Sequence, residues 1–146
     1  MSRLRDIPIR VEFAPAEECG GTIGAGILAI LAEIATKLDT LFSHGESDAI
    51  DLRTLPLSAA DSRQLEEALG HGETTIMLQA DGESTIRETA VAGVWWHKHR
   101  DRQGTLLAEY LEIARVPDIL PVESYELERA AADMQSRLQH SNHRAG

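Results

Sequence analysis

From Glu73 to Val116 the chain carries one run after another of strand-forming residues separated by turn signals, and this stretch restricts the possible folds more than any other. Thr74 to Ala80 and Ser84 to Val91 flank Asp81-Gly82, a hairpin signal. Gly93 marks a bend or bulge, and two further strands, Val94 to Arg100 and Thr105 to Val116, flank Asp101-Arg102-Gln103-Gly104, which has the Asp-first, Gly-last preference of a type I turn. Short connections of this kind join antiparallel neighbours, so the stretch predicts a four-strand meander. One face of such a sheet needs an apolar cover, which helices elsewhere in the chain must supply.

Those helices are legible from periodicity. Ile27, Leu31, Ile34, Leu38, Leu41 and Phe42 recur at spacings of three and four, with Gly45 as a stop. Ala49 to Arg53 reads as a short earlier strand. Ser58 and Asp61 resemble a capping box that opens a second helix, which ends near Leu69 where Gly70 and Gly72 flank His71. Pro117 and Pro121 interrupt the last strand, and Tyr125, Leu127, Ala131, Met134 and Leu138 mark a third, amphipathic helix. The expected fold is α+β: an antiparallel-rich sheet, made of the meander plus the earlier strand, packed with about three helices and covered mainly on one face. Residues 1–25 read as a loosely ordered arm, 26–140 as a single domain and 141–146 as a frayed tail.

Charge and cysteine content narrow the function. With 14 Lys and Arg against 24 Asp and Glu the formal net charge is -10, which opposes phosphate backbones and anionic lipid surfaces and would attract a basic peptide. Cys19 is the only cysteine, so an internal disulfide and a four-Cys metal or iron-sulfur site are impossible within one chain, and the carboxylates of Glu17 and Glu18 disfavour its thiolate. The longest apolar run, Gly26 to Ala32, is too short to span a bilayer, and no secretory leader is recognisable, so a cytoplasmic protein without a membrane or nucleic-acid partner is expected.

Few residues suggest chemistry. His97 and His99 share one face of a strand, a common beginning for a zinc or iron site, but a third ligand is needed. In the register set by a regular 101–104 turn, Trp95 faces Tyr110, His97 faces Ala108 and His99 faces Leu106, so no carboxylate stands opposite; a bulge would bring Glu109 or Glu112 closer. Gly20 to Gly26 lacks the preceding strand and the Lys-Ser/Thr ending of a phosphate loop, and no nucleophile elbow is present. Arg87 with Glu88, and Asp51 with Arg53, read as local ion pairs. Trp95 and Trp96 point to opposite faces, so one fills the core while the other suits an interface, Leu111 sharing the face of Trp96.

Three segments together resemble the conserved region of the HupH or HyaF hydrogenase expression proteins: Ile50-Asp51-Leu52-Arg53-Thr54-Leu55-Pro56-Leu57, then Ile86-Arg87-Glu88-Thr89 through Gly93-Val94-Trp95-Trp96, then Glu109-Tyr110-Leu111-Glu112-Ile113-Ala114-Arg115-Val116-Pro117. The sequence departs from that pattern in lacking much of the family's long N-terminal portion, and at Ala92, where proline is expected before Gly93. The resemblance implies a cytoplasmic, non-catalytic assembly factor in nickel-iron hydrogenase maturation. It would need no cofactor and would act on the iron-sulfur small-subunit precursor, alone or with another maturation factor. Trp95, Trp96, Tyr110, Arg87, Glu88 and Arg115 are the partner-binding candidates. The competing readings are a small metal-dependent enzyme or metal carrier using His97 and His99, and a structural homo-oligomer in which the outward Trp packs against its symmetry mate.

Overall fold

The computed structural model describes residues 22–144, so Cys19 and most of the expected N-terminal arm lie outside the described residues. The elements are α1 (Ala25–His44), β1 (Asp48–Asp51), a 3-10 turn (Leu52–Thr54), α2 (Ala59–Leu69), β2 (Thr75–Gln79), β3 (Glu83–Glu88), β4 (Val94–Arg100), β5 (Leu106–Ile113) and α3 (Ser124–Arg144). The sheet order is β1-β5-β4-β3-β2, antiparallel throughout: β2 to β5 form the meander and β1 closes its far edge beside β5. The fold is α+β. Among the described residues no helix is long and apolar enough to cross a membrane.

Alternation along each strand divides the side chains between two faces. Toward the helices point Ile50, Leu111, Ile113, Val94 and Trp96, which bury against Ile27, Ile30, Ile34 and Leu41 of α1 and Leu65 and Leu69 of α2. Phe42, placed on the α1 stripe by its spacing, is instead 82% exposed. Adjacent helix positions are about 100° apart, and Leu41 holds the inward one. The capping box is real: Ser58 Oγ accepts from the Asp61 amide at 3.1 Å, and Asp61 accepts from the Ser58 amide at 2.8 Å. Ser58→Ala is expected to cost about 1 kcal/mol, seen as a lower urea midpoint with an unchanged denaturant slope; an unchanged midpoint would contradict it.

Several boundaries differ from the sequence expectation for local reasons. The earlier strand stops at Asp51, because the Asp51 carboxylate accepts from the Arg53 amide at 2.9 Å and turns the chain into the 3-10 segment. The β3 strand stops at Glu88, where the buried Thr89 hydroxyl donates to the carbonyls of Val91 and Val94 and closes a tight turn through Gly93 (φ 83°). The β5 strand stops at Ile113, and the chain beyond it returns to the sheet face turned away from α1 and α2, where Trp95 binds the Ala114 carbonyl and Glu112 the Asp118 amide.

The β4–β5 register also differs, by two residues. Thr105 joins the turn, its carbonyl accepting from the Asp101 amide at 3.0 Å, and a bulge between His99 and Arg100 adds a second residue on β5. Trp95 therefore pairs with Glu112, His97 with Tyr110 and His99 with Ala108. Because a shift of two preserves side-chain parity, the residues from Ala108 to Ile113 keep their predicted face, whereas Leu106, beyond the bulge, pairs with Arg100 and changes face.

Candidate functional site

On the sheet face away from α1 and α2, β4 contributes Trp95 and His97, and β5 contributes Tyr110 and Glu112. The His97 ring stacks on Tyr110, with centroids 4.4 Å apart and planes inclined by 14°. Glu112 Oε2 lies 2.6 Å from His97 Nε2, a close approach off the line of a hydrogen bond, while Glu112 Oε1 accepts from the Asp118 amide at 2.8 Å. Trp95 is half-buried, and its indole N–H donates to the Ala114 carbonyl at 3.0 Å. Pro117 is buried, and the Leu120 amide closes a turn onto its carbonyl. Residues 114–120 thus form a strap pinned to the sheet by Trp95, Glu112 and Pro117.

The electrostatics follow from this cover. Burial lowers the His97 pKa below that of an ordinary imidazole, against the raising effect of the Glu112 carboxylate, so the ring is neutral at neutral pH. Burial raises the Tyr110 phenol, and the carboxylates of Glu112 and Asp118 raise it further. Beside the exposed Arg115 and Asp118, the strap and the segment after it present apolar side chains to solvent: Val116 is 52% exposed, Ile119 64% and Val122 58%. Pinned backbone beneath exposed apolar side chains costs little ordering entropy when a partner binds, which is the property of a preorganised docking surface.

The opposite face holds the other half of the predicted set. Trp96 is 2% exposed, and its indole N–H donates to Glu109 Oε1 at 2.9 Å. The Arg87 guanidinium and the Lys98 ammonium sit 5.8 and 5.3 Å from the Trp96 ring centroid. Arg87 also pairs with Glu66 at 2.8 Å and contacts His71. The local ion pairs expected from sequence do not form. Arg87 and Glu88 are strand neighbours on opposite faces, and Glu88 accepts from the Thr74 amide at 3.3 Å. Arg53 reaches the carbonyl of Leu107 at the bulge, leaving the Asp51 carboxylate to the backbone.

Of the six partner-binding candidates, Trp96 and Arg87 belong to the helix side, while Trp95, Tyr110 and Glu88 belong to the far face; Arg115 is exposed on the strap. His97 and His99 share the far face but have separate partners, since His99 Nδ1 meets Ser84 Oγ at 2.7 Å. Among the described residues no three His, Cys, Asp or Glu side chains converge as a metal site. Sequence reasoning offered Glu112 as a neighbour of His97 only on the condition of a bulge, which the structure contains, and missed Val116, Ile119 and Val122 altogether. The signal for the strap was Pro117 and Pro121, read only as a strand break.

Residues 25–141 match the family model described as the HupH hydrogenase expression protein, C-terminal conserved region. The hydrogenase expression/formation protein HoxQ of Azotobacter vinelandii is 32% identical over 93 residues, covering 64% of this chain and 32% of the relative. HupQ of Azotobacter chroococcum mcd 1, also a hydrogenase expression/formation protein, is 30% identical over 124 residues, covering 78% of this chain and 44% of the relative. The chain therefore spans less than half the length of these curated relatives. Among solved structures, the hydrogenase expression protein HupH from Thiobacillus denitrificans ATCC 25259 superposes with a TM-score of 0.74 at 38% identity, over 78% of this chain and 95% of that one.

Proposed function

The chain belongs to the family of the HupH hydrogenase expression protein C-terminal conserved region, and from that premise we propose that it is a non-catalytic assembly factor in nickel-iron hydrogenase maturation. It binds the iron-sulfur small-subunit precursor in the cytoplasm, before export, through the strap and the face it covers. An accessory role is supported by the relatives, which are named as hydrogenase expression/formation proteins. The observation that carries the docking surface is the strap itself, fixed on its inner side through Trp95, Glu112 and Pro117 and apolar on its outer side at Val116 and Ile119, with Val122 just beyond. A few well-packed, desolvated side chains carry most of the affinity of a protein interface.

The test is co-purification of the tagged small-subunit precursor with the triple variant Val116→Asp, Ile119→Asp, Val122→Asp. Its affinity is expected to fall by about 30-fold or more, equivalent to about 2 kcal/mol. The melting temperature should stay near that of the parent, because the three side chains already face water. Undiminished capture of the precursor by a folded triple variant would remove the strap as the docking surface.

A further inference from the structure

The third helix is the least explained element of the fold. Every residue from Pro121 to Ser141 is exposed, and two side chains of the helix bond back to its own backbone, His140 Nδ1 to the Ser136 carbonyl and Ser141 Oγ to the Arg137 carbonyl. A helix of this length standing alone in water is marginal, because helices in proteins are held mainly by packing of an apolar face. Such a face exists. Leu127, Ala131, Met134 and Leu138 follow at spacings of four, three and four, the repeat of a two-helix seam, and the three large side chains are each more than half exposed. The family match extends to residue 141, so most of this helix belongs to the shared domain.

Charge indicates what covers the seam. The N-terminal half of the helix carries Glu126, Glu128 and Asp133 against Arg129, whereas from Met134 onward the sequence contains Arg137 and Arg144 and no acidic residue. Each half complements the other half and repels itself. Antiparallel pairing about a two-fold axis between positions 132 and 133 would set Leu127 against Leu138 and Ala131 against Met134, large beside large and small beside large, with acidic halves facing basic ones and helix dipoles opposed. Parallel pairing would set like charges together. We propose that the occupant of the α3 seam is a second copy of this chain, forming an antiparallel helix pair and hence a two-fold dimer, independent of the strap.

Sedimentation and light scattering over about 1 μM to about 1 mM protein should show the mass rising from 16.0 kDa toward twice that value. The variant Met134→Glu with Leu138→Glu should remain monomeric over the same range, with the tryptophan fluorescence melt of the sheet domain, which reports Trp95 and Trp96 together, unchanged. Direction is read by cross-linking in a Cys19→Ser background. Leu127→Cys and Leu138→Cys proteins should form an oxidised dimer when mixed, while either alone should not. A monomer at every concentration would overturn the proposal. So would a dimer that survives the double Glu variant, or oxidised dimers formed by each Cys variant alone.

Discussion

Trp96→Ala is expected to lower the unfolding free energy by about 3 to 5 kcal/mol, the range for deleting a large aromatic side chain from a core. The ring is nearly inaccessible and lies in the layer formed by α1, α2 and the sheet, directly across from Leu111 on β5 and one strand further from Ile50 on β1. Its loss would open a cavity in a packed interior and would leave Glu109 without its indole partner and Arg87 and Lys98 without an aromatic face. A loss of that size is a large share of the roughly 5 to 15 kcal/mol that holds a typical domain together. Trp95→Ala should cost less, since Trp95 is half-buried; what it removes is the hydrogen bond that ties Ala114 and so the start of the strap. Chemical denaturation of both single variants, followed by circular dichroism, decides. A Trp96→Ala protein as stable as the parent, or a Trp95→Ala protein more damaged than it, would contradict this assignment.

The adjacency of the two tryptophans was sufficient to show that one would be buried, because strand alternation is a local rule; which one depended on where the helices sat. The same distinction runs through the molecule. Side-chain parity on β4 and on β5 from Ala108 to Ile113 was legible from the sequence and survived a two-residue error in register, because the extra turn residue and the bulge each contribute one step. The pairing partners were not legible, since a bulge is a balance between ladder hydrogen bonds and the capture of the Leu107 carbonyl by Arg53, a residue 54 positions away. The approach of Glu112 to His97 was therefore legible only as the consequence of a bulge, not as a definite pairing. Periodicity found the seam of α3, but periodicity reports an apolar face without saying whether the fold covers it. The strap was illegible for a further reason: its hold on the sheet is made by single contacts from Trp95, Glu112 and Pro117, none of which leaves a repeating pattern.

Acid should destabilise this protein through His97 in a window that a single substitution removes. The unfolded imidazole takes up its proton as the pH falls through about 6.5. In the folded chain burial holds the His97 pKa below that value, although Glu112 opposes the effect, and Tyr110 and Asp118 complete the titratable surroundings. The unfolded state therefore binds more protons below about pH 6.5, and stability must fall as pH falls from there toward the folded pKa, being complete only above the window. His97→Gln, which cannot titrate, should flatten that limb of the stability profile below about pH 6.5. Glu112→Gln should extend the limb to lower pH, since the carboxylate that raises the imidazole is gone while a side-chain oxygen remains for the Asp118 amide. Glu112→Ala should in addition destabilise at every pH, by about 1 to 3 kcal/mol for each buried polar group left without a partner. Urea midpoints of the parent and the three variants at closely spaced pH values measure all of these together. A parent profile flat through this window, or one that keeps its slope in His97→Gln, would show that His97 is not the group responsible.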